Sequence, residues 1–278
     1  VNGENVVRRQ FQVVVLAFVL FVAVGTGSVD GAWFESAPAT NSSFYFVQIT
    51  DTHWGVKGGL VMTRRAVEAI NKLPVDIAFV VHTGDVMADS IRDEAVVSEG
   101  LAIMRGLKVP VHYLPGNHDI LEGETKATER LFAKYFGKVA AKKEIRGVLC
   151  LFLCSELRDG DDRTPSRAAQ DWIDRNLAKD EQRPVLVFLH RPPVVDRLSS
   201  RTPEEWGEEK HPRWEQLFIK HPQIRAMVSG HLHRDELHWI GAVPVYVASS
   251  VASFWDRQPS VRLYKYQEGR LTYWTLYL

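Results

Sequence analysis

Seven side chains able to hold a divalent cation fall into five short stretches of this 278-residue chain: Asp51 with His53, Asp85, Asn117, His190, and His231 with His233. The stretches are VQITDTH (47–53), FVVHTGD (79–85), YLPGNHD (113–119), LVFLH (186–190) and MVSGHLH (227–233). Carboxylate, imidazole and amide oxygen together suit manganese, iron or zinc, whereas an all-oxygen set would suit magnesium or calcium. A cation on such ligands activates water and stabilises developing charge, so the chemistry on offer is hydrolysis. A lone His-x-His or Gly-Asp carries little weight; five such stretches in one chain carry a great deal.

The stretches close apolar runs that read as β-strands, and in open α/β sheets ligands bind just beyond the carboxyl ends of the strands. One sheet edge could therefore gather all of them. Strands are predicted at about 44–50, 76–82, 111–114, 148–154, 184–189 and 224–229. Helical patterns separate them at about 60–73, 90–105, 124–136, 165–178 and 212–220. The fourth helix is the clearest, with Thr164 as N-cap, Pro165 at the first helical position and an apolar stripe of Trp172, Ile173 and Leu177. This alternation implies a sheet built from βαβ units. Beyond His233 the chain changes to short strands at about 235–240, 243–248, 261–267 and 270–277, joined by Gly241-Ala242 and Glu268-Gly269 in the manner of antiparallel hairpins. Gly84, Gly116 and Gly230 each precede a ligand, where a positive φ or a close approach to the metals would exclude a Cβ.

The ordered set Asp-x-His, Gly-Asp, Gly-Asn-His-Asp, His and Gly-His-x-His resembles the calcineurin-like metallophosphoesterase superfamily over about residues 44–250, with every ligand position filled. The pattern is nearest to its class III cyclic-nucleotide phosphodiesterase-like members. The resemblance implies an α/β fold of two packed mixed β-sheets flanked by helices, an α/β/β/α sandwich, with the metal site at the sheet edge. It implies two divalent ions: one on Asp51, His53, Asp85 and His233, the other on Asp85, Asn117, His190 and His231. Asp85 would bridge them, and the water held between would supply hydroxide as the nucleophile. His118 would act at the leaving oxygen as general acid, and Asp119 would orient the turn or the neighbouring imidazole.

Two departures narrow the resemblance. Purple acid phosphatases place a tyrosine ligand three residues after the bridging aspartate, and here that position is Ala88. Some cyclic-nucleotide phosphodiesterases carry a second histidine after the fourth cluster, whereas this chain has Arg191, which either contacts phosphate or pairs at the surface. The expected activity is phosphate-ester hydrolysis, on diesters first, with an exported phosphomonoesterase or nucleotidase as the alternative and a non-catalytic scaffold of the same fold behind it. Trp54, directly after His53, faces either the substrate or the core. His82, His112, His211, His221 and His238 match no ligand position and are read as structural or surface residues.

Bulk composition agrees: 45% hydrophobic and 24% charged residues suit one large globular domain, and a formal net charge of zero offers no basic face for a nucleic-acid polymer. A small-molecule or lipid-headgroup phosphate ester is the expected substrate. Cys150 and Cys154, four apart along one strand, would lie about 13 Å apart, beyond disulfide reach, and are read as core. Residues 1–32 read as a signal peptide or membrane leader: Arg8 and Arg9 precede an apolar run from Val13 to Val24, too short for a membrane span. Residues 33–43 form a polar spacer and 44–278 the catalytic domain. Export to the periplasm or exterior is the expectation, with membrane contact only through an uncleaved leader. The long stretch 191–213 would border the site as a lid carrying Arg197, Arg201 and Trp206. Oligomeric state is left open.

Overall fold

Strand β1 (Ser43–Ile49) organises the molecule, because its apolar residues are buried on both faces and strands pair with it on either side. The structure is a computed structural model and describes residues 42–156, 167–177, 181–194, 212–254 and 257–278. The chain continues through α1 (Gly59–Asn71), β2 (Ile77–His82), α2 (Glu94–Met104), β3 (Val111–Tyr113) and α3 (Thr125–Phe136). Next come β4 (Ala140–Ile145), β5 (Val148–Leu153), α4 (Arg167–Asn176), β6 (Val185–Phe188), α5 (Pro212–Lys220) and β7 (Ile224–Ser229). Strands β8 (Glu236–Ile240), β9 (Val243–Val247), β10 (Ser260–Gln267) and β11 (Arg270–Tyr277) complete it.

Two mixed sheets result, ordered β11-β10-β1-β2-β3 and β4-β5-β6-β7-β9-β8. The ligand-bearing strands pair in parallel within each sheet, β1 with β2 and β2 with β3, then β6 with β7, so their carboxyl ends share a direction. Between the sheets lies an aromatic core. The Phe46 ring stacks on Phe79 at 5.0 Å and on Tyr264 at 4.8 Å, and meets Phe188 of the other sheet edge-on at 5.7 Å. The outer face of the first sheet packs on α1, α2 and α3 through Val67, Ile70, Val97, Ile103 and Phe132. The outer face of the second packs on α4 and α5 through Ile173, Leu177, Trp214, Leu217 and Phe218. This α/β/β/α layering is the architecture the resemblance implied. Because Phe46 is fully buried between both sheets, Phe46→Ala is expected to lower unfolding free energy by about 3–5 kcal/mol, read from the urea midpoint; a change under about 1 kcal/mol would show that the inter-sheet core does not depend on this ring.

Three details depart from the sequence reading. Strand β4, AAKKEI, was not foreseen: it is a half-exposed edge strand whose lysines hide any strand period, and it turns into β5 through Arg146 and Gly147, with φ of 50° and 79°. The second helix starts at Glu94 rather than near 90, because Asp93 caps it by accepting from the backbone N–H of Ala95 and Val96. The C-terminal strands divide between sheets: β8 and β9 extend the second through a parallel β7–β9 pairing, while β10 and β11 extend the first beside β1. Cys150 and Cys154 are both buried and unbridged, and Trp54 is core, its indole N–H donating to Thr63 Oγ1 at 3.0 Å. No described helix is long and apolar enough to cross a membrane. The leader at 1–32, the cap at Thr164 and Pro165, His211, and the expected lid residues Arg197, Arg201 and Trp206 lie outside the described residues.

Candidate metal centre

Asp51 and His53 follow β1, Asp85 follows β2, Asn117 and His118 follow β3, His190 follows β6, and His231 and His233 follow β7. Parallel pairing within each sheet and stacking of the two sheets bring these strand ends together. Asp51, His53, Asp85 and His233 present ligand atoms within 4.8 Å of one another, and so do Asp85, His190 and His231. Asp85 belongs to both groups: its Oδ2 lies 3.8 Å from His53 Nε2 and 3.2 Å from His190 Nε2. Asn117 Oδ1 sits 3.2 Å from His190 Nε2, which joins it to the second group. All seven expected residues are thus in one place.

The backbone is held in an unusual state to achieve this. Asp51, His53, Asp85, His231 and His233 all have φ between 44° and 72°, the left-handed region that non-glycine residues rarely occupy. Such conformations cost of order 1 kcal/mol or more each and persist where the surroundings over-determine them, typically at functional sites. Hydrogen bonds do that here. Asp51 N–H donates to the Gly84 carbonyl at 2.9 Å, and His53 N–H to the Asp85 carbonyl at 3.1 Å, tying the first two loops together. Asp51 Oδ2 accepts from the Thr50 hydroxyl at 2.6 Å and from the His231 N–H at 3.1 Å, while Asp85 Oδ1 accepts from the His118 N–H at 2.9 Å. The close approach of the loops explains two glycines: a Cβ on Gly116 would overlap the Asp85 carboxylate, and one on Gly230 would overlap Thr50 and Asp51.

These residues fit divalent cations. Asp51 Oδ1 is buried and has no hydrogen-bond donor, although the His233 ring is 3.0 Å away. His53 Nε2 and His233 Nε2 lie 3.3 Å apart, and both belong to the group whose ligand atoms are close enough to share one cation. Charge is arranged to match. Burial pushes the Asp51 carboxyl up, but the His233, His190 and His53 rings outweigh it and hold Asp51 well below the ordinary carboxylate range. Asp85 is likewise brought down to about 2, burial being overcome chiefly by His190. His190, in turn, is raised to about 10: burial disfavours its charge, and the Asp85 carboxylate more than restores it. His53 is lowered to about 4 and His231 well below its usual value, burial being the largest cause in both. The His190 tautomer is set by its Nδ1, which lies 2.8 Å from the Thr83 carbonyl and leaves Nε2 facing the site.

The remaining expected residues take distinct places. His118 is half-exposed, and its Nδ1 lies 2.9 Å from Asp89 Oδ1, so Nε2 is the atom left for a ligand. Asp119 serves the turn and not the imidazole: it is fully buried and accepts from the N–H groups of Val86, Met87 and Gly116 at 3.1, 2.8 and 2.8 Å. Burial and the Asp85 carboxylate push its pKa up to about 8 against those three donors. Sequence reasoning passed over Asp89, the buried Glu156, and Phe254, whose ring flanks His53 at 4.8 Å and His233 at 5.2 Å. Asp89 carries one local signal, its position four residues beyond Asp85, and Glu156 another, its place just past the end of buried β5. Arg191 pairs not at the surface but with Glu156. Of the other histidines, buried His82 bonds Thr52 Oγ1 at 2.9 Å, His221 pairs with Asp174 and His238 with Glu236, while His112 is half-buried beside Lys143, all structural arrangements.

A two-sheet sandwich with carboxylates and imidazoles converging at its strand ends is the architecture of a dimetal hydrolase. The chain belongs to the calcineurin-like phosphoesterase family, which it matches over residues 44–235, and is a metal-dependent phosphoesterase. The serine/threonine-protein phosphatase CPPED1 of Danio rerio is 28% identical over 264 residues, spanning 84% of each chain. A probable glycerophosphodiester phosphodiesterase, GpdQ of Arcobacter nitrofigilis, is 25% identical over 257 residues, 84% of this chain and 92% of its own. The crystal structure of a dimetal phosphatase from Danio rerio shares the fold with a TM-score of 0.56 at 15% identity, over 84% of this chain and 98% of that one.

Proposed function

We propose that this chain hydrolyses phosphate esters at a two-cation centre, with Asp51, His53, Asp85 and His233 holding one ion and Asp85, Asn117, His190 and His231 the other. The observation that carries this reading is the membership of Asp85 in both ligand groups, since a shared carboxylate is what sets two cations at the spacing of a two-metal phosphoesterase. Bound there, the cations supply an activated water at neutral pH and positive charge for the phosphate oxygens. The protein's own residues do the rest. His118 gives a proton from Nε2 to the departing alkoxide, so the ester P–O bond breaks as a water oxygen bonds to phosphorus and an alcohol leaves. Asp89 holds the other ring nitrogen, and Asp119 pins the turn that carries Asn117 and His118.

The substrate class is a small or lipid-headgroup phosphate ester, supported by the zero formal net charge, and the exported location rests on residues 1–32, which the mass of the mature protein tests. To test the activity, chelator-stripped protein is reloaded with manganese and assayed on p-nitrophenyl phosphate and bis(p-nitrophenyl) phosphate. Two ions per chain and hydrolysis dependent on them are expected; full loading with neither ester cleaved would end the proposal.

Proton release on metal loading gives an independent check. In the metal-free protein His190 is charged below about pH 10, and a ligand must be neutral to bind a metal. Loading at pH 7.5 therefore expels the His190 proton. Apparent affinity should rise about tenfold per pH unit below that pKa and level off above it. Calorimetry in two buffers of different ionisation enthalpy counts the protons, and His190→Asn should release about one fewer. Equal release by both proteins would show that His190 is not displaced from its Asp85 pairing.

A further inference from the structure

We infer that Arg191 is a substrate-binding residue that takes a third phosphate oxygen, which makes phosphate monoesters the preferred substrates, and that Glu156 is the positioning residue that holds it. The inference rests on the two-cation reading above and departs from the diester preference expected from sequence.

The register of the second sheet places the pair. Strands β5 and β6 run parallel with Phe152 opposite Phe188, so three residues further Ser155 meets Arg191. The Arg191 N–H donates to Ser155 Oγ at 3.0 Å, and that hydroxyl donates to Glu156 Oε1 at 2.9 Å. Glu156, its side chain only 3% exposed, then receives Arg191 Nε on both oxygens, at 2.9 and 3.2 Å. A buried carboxylate therefore grips the guanidinium by its inner edge and turns the outer nitrogens toward the site. Nη1 ends 2.6 Å from Nε2 of His231.

That last contact cannot survive metal binding at His231. If His231 ligates through Nε2, its lone pair goes to the cation; if through Nδ1, Nε2 carries the ring proton and is itself a donor. Either way the Nη1–H loses its acceptor. An arginine stays charged at any working pH, and a largely buried cationic donor without an acceptor is costly. The group that can satisfy it is an anionic oxygen delivered to the centre, and guanidinium geometry suits phosphate. Counting oxygens then selects the ester. A diester has two non-ester oxygens, which two cations can occupy between them. A monoester has three, and the third falls to Arg191. Glu156 balances the arginine's charge when no substrate is bound.

The test measures binding as well as turnover. Manganese-loaded wild type, Arg191→Met, Arg191→Lys and Glu156→Gln are each checked for two ions per chain. Each is then titrated calorimetrically with inorganic phosphate and with dimethyl phosphate, the latter having only two free oxygens. Wild type should bind phosphate more tightly, and Arg191→Met should weaken phosphate by roughly thirtyfold and dimethyl phosphate by threefold at most, charge-assisted donors being of that strength. Arg191→Lys should retain part of the difference and Glu156→Gln should reduce it while leaving Arg191 present. In parallel, the kcat/KM ratio of p-nitrophenyl phosphate to bis(p-nitrophenyl) phosphate should fall in Arg191→Met, mainly through KM. Should Arg191→Met not fold, Arg191→Lys decides: an unchanged phosphate-to-dimethyl-phosphate ratio overturns the inference. Parallel weakening of both anions in the variants, or a wild type that prefers dimethyl phosphate, overturns it too, with the two-cation reading intact. A wild type that takes up no metal sinks that reading instead.

Discussion

Asp85→Asn is expected to fold, to hold fewer than two cations per chain, and to lose at least about a thousandfold in kcat/KM. Asparagine is chosen because it tolerates the left-handed backbone that Asp85 occupies at φ 51° and still accepts the His118 N–H. What it lacks is the charge. The Asp85 carboxylate touches both ligand groups, so its loss weakens both ions at once. Losing a single transition-state donor already costs about 10²–10³ in rate, and a shared ligand affects every oxygen of the reacting phosphate. Metal-free stability is expected to hold. A ligand that binds only the folded state raises its apparent stability, so manganese should raise the melting temperature of wild type more than that of the variant. Two firmly bound ions in Asp85→Asn would remove the bridging role.

His118→Ala should behave in the opposite way, keeping both ions and losing turnover. The His118 ring meets His53 edge-on at 5.1 Å but belongs to neither ligand group, and its Nδ1 lies 2.9 Å from Asp89 Oδ1. General-acid help is worth about 10²–10⁴ in rate, and it matters most where the leaving alkoxide is poor. The loss should therefore be near the top of that range for an alkyl phosphate and much smaller for p-nitrophenyl phosphate, whose leaving group departs without a proton. Asp89→Asn should show the same leaving-group dependence with a drop of about tenfold, because the ring keeps its place but loses the carboxylate that orients it. An equal loss on both leaving groups would mean that His118 positions phosphate and does not protonate the alkoxide.

Much of the centre was legible in the chain because the relevant signals are local. The five stretches could be read as strand ends from apolar runs that stop at Asp, Asn or His, and the structure brings six of the seven candidate residues into two groups there, with Asn117 beside His190. Gly84, Gly116 and Gly230 stood out for the same reason, and each now meets a ligand loop where a Cβ would collide. What could not be read depended on partners distant in the chain or on weak patterns. Asp89 lies in an exposed polar turn that looks like any other until the His118 loop, 29 residues on, closes against it. Glu156 ends a strand that carries no ligand, and only the β5–β6 register sets it beside Arg191, 35 residues later. Strand β4 escaped because, at the edge of its sheet, it has no fully buried residue, and the consecutive Lys142, Lys143 and Glu144 put charge on both faces and erase the alternation that marks a strand.

The sequence alone therefore determined the kind of chemistry, the donor types and the order of strands that present them, since side-chain identity and short-range periodicity are properties of neighbouring residues. Tertiary structure decided how closely the two groups of donors approach, which carboxylate serves His118, and what Arg191 faces. Those are distances of a few ångströms between segments far apart in the chain, and they are set by strand register, by the packing of Phe46, Phe79, Tyr264 and Phe188 between the sheets, and by loops held in the left-handed region. No pattern of adjacent residues encodes them.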